Sequence, residues 1–344
     1  MSSNKNFSRP IRPTIQIHPT LNCNLYCSHC YSNSGPSSKI KLDVKIALQA
    51  ITDAAKMGYK IISISGGEPL MYDGLDIILE HAKSCDMTTT ITSNGTLLNN
   101  KKITKLEKYL DLMALSLDGP SQIHNEMRHS PDAFNLLLSG LENLKNSNLD
   151  FGFIHTLTQK SWQHLLWIAE FAVQNNASLL QIHPLELSGR ANGNLNSSWP
   201  DDDILTRGYL LATVLADKYA DSTKIQFDVF DRDQVMKNPE LVYASDLKTD
   251  LESATPSDLL SDLVVEADGT VVPISYGFSK KFKVCNINNQ RLEDGWNKYV
   301  QQGGYKSFRL LCHEIFEEIS TPNILPFFNW YELIVNHSNK SNLS

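Results

Sequence analysis

His18-Pro-Thr-Leu-Asn-Cys23-Asn-Leu-Tyr-Cys27-Ser-His29-Cys30-Tyr31 decides how this chain is read. The segment follows an apolar, β-branched run at residues 15–18 that reads as a first strand, and it places three thiols in the spacing C-x3-C-x2-C within one loop. In parallel α/β folds the loops at the carboxyl ends of strands are where ligands collect. Three thiolates at this spacing can wrap one compact centre. A [4Fe–4S] cubane usually takes four cysteine ligands, so a loop that offers three leaves one iron open to bind something else. A structural zinc site of the Cys3His type, with His29 or a distant histidine as fourth ligand, would use the same cysteines. Zinc ligands usually come as two paired halves, however, and no second half is present.

The remaining cysteines, Cys85, Cys285 and Cys312, are scattered through the 344 residues, so the six together are not a disulfide framework. At 41% hydrophobic and 20% charged the composition is that of a globular protein, long enough for one large domain or two unequal ones. The first ten residues, MSSNKNFSRP, lack an apolar core, and no apolar run reaches the ~18 residues of a membrane span. The expected compartment is therefore the reducing cytoplasm, where clustered cysteines point to a metal site or catalysis. A net charge of −7 argues against nucleic acid and anionic lipid as partners.

Beyond the cysteine loop, short apolar runs alternate with helical patterns. Residues 61–65, 88–92, 112–117, 151–156 and 179–183 read as strands. Between them, Val44, Ala47, Leu48, Ile51 and Ala55, then Leu75, Ile78, Leu79 and Ala82, recur at i, i+3, i+4 spacing, and further helices are expected over 103–110, 134–144 and 165–173. Strands alternating with helices imply a parallel sheet with right-handed crossovers, open or closed into a complete or partial barrel. After the Gly- and Asn-rich stretch 188–200 the rhythm changes. A helix over 202–219, a strand over 225–230, a hairpin over 263–274 turning at Asp268-Gly269, and helix over 292–319 are expected there.

Four motifs fall in register on successive strand ends: the three-cysteine loop, Gly66-Gly67-Glu68-Pro69, Thr92-Ser93-Asn94-Gly95-Thr96 and Ser116-Leu117-Asp118-Gly119-Pro120. In that order, over about residues 14–190, the chain resembles the radical S-adenosylmethionine (SAM) enzymes. The resemblance implies an α/β fold, a partial (β/α)6 TIM-like barrel over residues 14–195, with residues 1–13 as an N-terminal extension. It implies one [4Fe–4S] cluster held by Cys23, Cys27 and Cys30, whose open iron chelates SAM. Reductive cleavage of SAM then gives a 5′-deoxyadenosyl radical that takes a hydrogen atom from the substrate, with an electron donor such as flavodoxin or ferredoxin as partner.

The residues themselves suit those roles. Gly66 and Gly67 lack Cβ and allow close backbone approach, and Glu68 offers a carboxylate to the SAM ammonium. Ser93, Asn94, Ser116 and Asp118 are short polar groups at strand ends, although Asn-Gly and Asp-Gly are also common turn chemistry. Arg128 carries a planar fork suited to the SAM carboxylate. The resemblance makes His29 an adenine contact before a metal ligand; Leu157 and Ile182, after or within the last two strands, are candidates to wall the adenine, with plain core the commoner reading of apolar residues there. His155 and His183 read first as satisfied core histidines, with a place facing the substrate as the alternative. Arg190 in Gly189-Arg190-Ala191 is a further candidate for contact with SAM or substrate. These motifs single out cofactor contacts and no catalytic side chain.

Residues 196–344 resemble the SPASM-type α+β extension of the peptide-maturing branch, in degenerate form. The cysteine expected soon after the hairpin is replaced by Pro273, Ile274 and Ser275, and the terminal cysteine cluster is missing. A second cluster fully ligated by cysteine is not expected. The second region is instead expected to act as lid and docking surface for a ribosomally made precursor peptide, whose side chain would be cross-linked, epimerised or oxidised. No peptide-recognition domain fits before residue 15, so a leader peptide would bind the barrel, the second region or a partner. The alternatives are a small-molecule substrate, or a non-catalytic iron–sulfur or zinc protein that kept the barrel.

Overall fold

The structure, a computed structural model, describes residues 12–244, 254–321 and 326–340. Most of the N-terminal extension, and the polar tail beyond Lys340, lie outside the described residues.

Six parallel strands follow one another in sequence and in space: β1 (Thr14–Ile17), β2 (Ile61–Ile64), β3 (Thr88–Ser93), β4 (Leu112–Ser116), β5 (Phe151–Leu157) and β6 (Leu179–Pro184). They form the partial α/β barrel that the sequence implies. Registers such as Ile15↔Ile62, Ile91↔Met113 and Leu115↔Phe153 set apolar side chains beside one another on the face that meets the helices. Ile15, Ile17, Ile62 and Ile64 are completely buried there, each contributing about 1.5–3 kcal/mol relative to exposure. The opposite face carries Gln16, Thr92, Ile154 and Thr156 toward a cavity, as the two-residue period of a strand requires.

The crossovers are α1 (Val44–Lys56), α2 (Leu75–Ser84), α3 (Asn100–Leu106), α4 (Ser121–Arg128), α5 (Ala133–Lys145) and α6 (Leu165–Gln174). Helix α1 starts where the Asp43 carboxylate accepts from Lys45 N, and it stops before Gly58, whose φ of +96° suits glycine. Helix α3 begins three residues earlier than its apolar spacing suggests. Asn99 caps it by accepting from Lys102 N at 3.0 Å.

The second region continues the same sheet. On one edge β7 (Lys224–Phe227) pairs parallel with β6; on the other β9 (Asp262–Val265) pairs parallel with β1, followed by antiparallel β10 (Thr270–Pro273) and β11 (Cys285–Asn286). The hairpin at Asp268-Gly269 is thus present and built into the barrel sheet. The strand expected over 225–230 divides into β7 and β8 (Phe230–Asp231), which pairs with β12 (Phe327–Phe328) in a separate two-stranded sheet. The helical stretch 292–319 breaks at Gly303, φ +81°, into Leu292–Gln301 and Gly304–Ile319. Buried Asp53 on α1 pairs with Arg291 and accepts from Leu292 N at 3.1 Å, joining the first of these helices to the barrel. A last helix, Trp330–Lys340, lacks a counterpart in the sequence reading.

Candidate functional site

The carboxyl ends of β1 to β6 surround a cavity of about 310 Å³. Its floor is the cysteine loop. Cys23 and Cys27 are buried with Leu25, and Cys30 packs beside them. The loop is fixed by backbone bonds from both sides: Gly67 N donates to Thr20 O at 2.7 Å, Glu68 N to Asn22 O at 2.9 Å, and Ser28 N to Met127 O at 2.9 Å.

The reason for the double glycine follows. A Cβ on Gly66 would lie 2.6 Å from Thr20 O, and one on Gly67 only 2.1 Å from Asn22 O. The missing side chains let the cysteine loop lie directly on the end of β2, so the close approach is made by the chain's own backbone. Glu68 is likewise occupied by the protein. One carboxylate oxygen accepts from Ser93 Oγ at 2.8 Å and Leu70 N at 3.1 Å, the other from Asn94 N at 2.9 Å. Burial pushes its carboxyl up and these bonds oppose that. Glu68 thereby holds Ser93 and Asn94 at the cavity wall, and Asn94 Nδ2 reaches Asn24 Oδ1 at 2.9 Å and Cys23 Sγ at 4.0 Å.

Arg128 stands at the end of α4. Its fork does not point out as a vacant clamp: Nε and Nη2 donate to the two Asp118 oxygens at 2.6 and 3.2 Å, and Nη1 reaches Cys27 Sγ at 3.7 Å. Burial would raise the Asp118 carboxyl, but the Arg128 guanidinium holds it well below the usual carboxylate range. Asp118 itself does not line the cavity. Its backbone N donates to His124 Nδ1 at 3.2 Å, and His29 Nε2 lies 3.8 Å from its carboxylate. Burial lowers both histidines to about 4, so they are neutral near pH 7.

Of the residues singled out from sequence, Cys23, Cys27, Cys30, His29, Gly66, Gly67, Glu68, Ser93, Asn94, Ser116 and Arg128 line this one cavity. Leu157 does not. On β5 the cavity face belongs to Ile154 and Thr156, whereas Leu157 is fully buried in the helix-facing core, as is Ile182 on β6. Both are plain core, and Leu157 stands one residue out of phase with the cavity-facing Thr156. His155 is a satisfied core histidine, bonded to Leu117 O at 3.0 Å and Ser161 Oγ at 3.1 Å. His183 lines the cavity and pairs with Asp228. Arg190 supports the loop: Nε donates to Cys27 O at 2.9 Å, Nη2 to Ser34 O at 2.6 Å, and the guanidinium stacks over Tyr26.

Sequence reasoning missed part of the cavity wall. Residues 274–276, after the hairpin, line it together with Asp228, Glu186 and Tyr331. Ile274 has a φ of +68°, a costly backbone state for a β-branched residue. Burial raises the Glu186 carboxyl, an effect His183 opposes.

The donors fit an iron–sulfur centre. Burial raises the Cys23 thiol to about 12 and also raises Cys27, so ionisation of these dry thiols calls for a cationic partner. Each sulfur has a donor within reach: Leu25 N for Cys23 at 3.5 Å, Arg128 for Cys27 and Ser32 Oγ for Cys30 at 3.5 Å. Among the described residues no three His, Cys, Asp or Glu side chains close around a single ion.

Residues 17–172 match the Radical SAM superfamily. The match spans a little under half of the chain, and that superfamily uses a [4Fe–4S] cluster and SAM. Among curated proteins it is similar to Fe-coproporphyrin III synthase of Methanosarcina barkeri, 27% identical over 192 residues, covering 55% of this chain and 48% of that protein. The chain spans about half the length of the first curated relatives it matches. In fold it is similar to Streptococcus suis SuiB bound to the precursor peptide SuiA, with TM-score 0.64, 17% identity, and coverage of 83% of this chain and 64% of that one. It is also similar to anSMEcpe with bound AdoMet and the Cp18Cys peptide, with TM-score 0.65, 17% identity and 95% coverage of both chains.

Proposed function

We propose that this chain is a radical SAM enzyme that modifies a side chain of a ribosomally made precursor peptide. The observation that carries the reading is that one cavity is lined both by the cysteine loop and by groups from the second region, residues 274–276, Asp228 and Tyr331. When bound, a single cluster and SAM together supply the radical that abstracts a substrate hydrogen atom. In this reading Cys23, Cys27 and Cys30 hold the cluster, and Ser93, Asn94 and Ser116 offer short hydroxyl and amide groups to SAM. Neutral His29 presents a flat face suited to an adenine, while Leu25, Ile154 and Ile274 keep water from the space between cofactor and substrate. Among the described residues no helix is long and apolar enough to cross a membrane. A place in the reducing cytoplasm and a flavodoxin or ferredoxin as electron donor complete the proposal.

A peptide substrate is supported by the likeness in fold to two structures that hold peptides. A small-molecule substrate is the second reading, supported by the likeness in sequence to a coproporphyrin enzyme. Anaerobic reconstitution with dithionite and SAM tests the chemistry through 5′-deoxyadenosine formation. Mass spectrometry of a short peptide encoded beside the gene, after co-expression, tests the substrate. An intact cluster that yields no 5′-deoxyadenosine with candidate substrates present would overturn the enzyme reading.

A further inference from the structure

The three cysteine sulfurs are not in equivalent surroundings. Cys23 and Cys30 face neutral donors: the Leu25 backbone N–H, the Asn94 amide and the Ser32 hydroxyl. Cys27 alone faces a full positive charge, the Arg128 guanidinium. That guanidinium has little freedom. Arg128 is buried, Asp118 holds two of its nitrogens, and the Ser28–Met127 backbone bond locks the end of α4 onto the cysteine loop. His29 and His124 lie 3.8 and 3.5 Å from the Asp118 carboxylate, and the Arg190 guanidinium meets the Cys27 carbonyl and not its sulfur. The Nε/Nη2 edge of the guanidinium is taken by Asp118, and Nη1 is directed at the Cys27 sulfur.

We propose that the Asp118–Arg128 pair sets the reduction potential of the cluster through Cys27, with Arg128 as a charged donor to that ligand's sulfur. The inference rests on the three cysteines ligating the cluster. Reduction adds one electron to the cluster from an external one-electron donor, and a fixed positive charge at a ligand sulfur favours the more negative, reduced form. Arg128 therefore raises the potential. Asp118 acts in the opposite sense, lowering the potential while it orients the guanidinium. Arg128 works through Cys27 and is a positioning residue.

The test is a redox titration of the reconstituted protein, followed by electron paramagnetic resonance in the absence of SAM, with iron content and thermal unfolding measured in parallel. Arg128→Gln is expected to shift the midpoint to more negative potential, Asp118→Asn to more positive, and Arg128→Lys to lie between wild type and Arg128→Gln. If Arg128→Gln does not fold, the sign of the Asp118→Asn shift decides. Midpoints that do not move in the folded variants, with SAM binding weakened in equilibrium dialysis of Arg128→Gln, would return Arg128 to the role of SAM clamp and overturn the inference alone. A wild-type protein that takes up no iron overturns the cluster reading and this inference with it.

Discussion

At the cysteine end of the cavity, Gly66, Gly67, Glu68, Ser93 and Asn94 hang from consecutive strand ends and bond to one another and to the loop. Elsewhere on the cavity wall, His183, Asp228 and Tyr331 come from β6, the end of β7 and the last helix. In the first, Glu68, Ser93 and Asn94 already have partners inside the protein. The second is assembled from segments far apart in sequence, with His183 and Asp228 paired between two of them. That division of labour suits a constant cofactor and a variable substrate.

The comparison breaks most sharply at the cysteines. Cys27→Ala is expected to abolish cluster assembly, with iron falling from about four per chain to background in a colorimetric assay. Iron retained by the variant would dismiss the loop as the cluster site. A smaller loss is expected from Gly67→Ala, whose new Cβ meets the Asn22 carbonyl. It should destabilise the fold by about 1–3 kcal/mol in denaturant unfolding and reduce iron content with it. Unchanged iron and stability would mean that the loop does not rest on β2.

The other part of the wall should respond in a different measurement. Tyr331→Ala is expected to leave iron content and thermal stability near wild type and to lower product formation about tenfold, equivalent to ~1.4 kcal/mol of transition-state binding. Iron lost together with product would erase the distinction between the two parts. The smallest effect concerns pH. Burial raises Glu332, which accepts from Trp199 Nε1 at 2.7 Å, to about 7 from an ordinary 4.5. Between those values the folded state keeps a proton that the unfolded chain has released, so the contribution of Glu332 to stability falls as pH rises from 4.5 to 7. Thermal melts across that range should decline less in Glu332→Gln; parallel curves would exclude Glu332 as the cause.

The barrel was legible because its strands are short apolar runs separated by helix periodicity, and its motifs occupy the turns between them. What escaped was non-local. Nothing near residues 262–265 announces that they pair with β1, and nothing near Tyr331 ties it to the cavity. Leu157 stayed a candidate because Leu157 and Thr156 are both acceptable at a strand end, and only the tertiary packing shows which faces the helices. Asp118 was read with its turn. A signal for its partners was nevertheless present: His124 and Arg128 stand at i and i+4 on α4, six and ten residues after it, so one helical face brings both back to the carboxylate.

The Arg190 clamp has a consequence for the order in which the molecule matures. The carbonyls that it grips, Cys27 O and Ser34 O, precede it by 163 and 156 positions, and Gly189 presses so closely on the same loop that a Cβ there would lie 2.4 Å from Cys30 O. During synthesis the three thiols therefore emerge long before the segment that fixes their loop. The loop is therefore expected to take its final shape only once the segment after the sixth strand has docked, which puts the closing of the cavity floor late in folding.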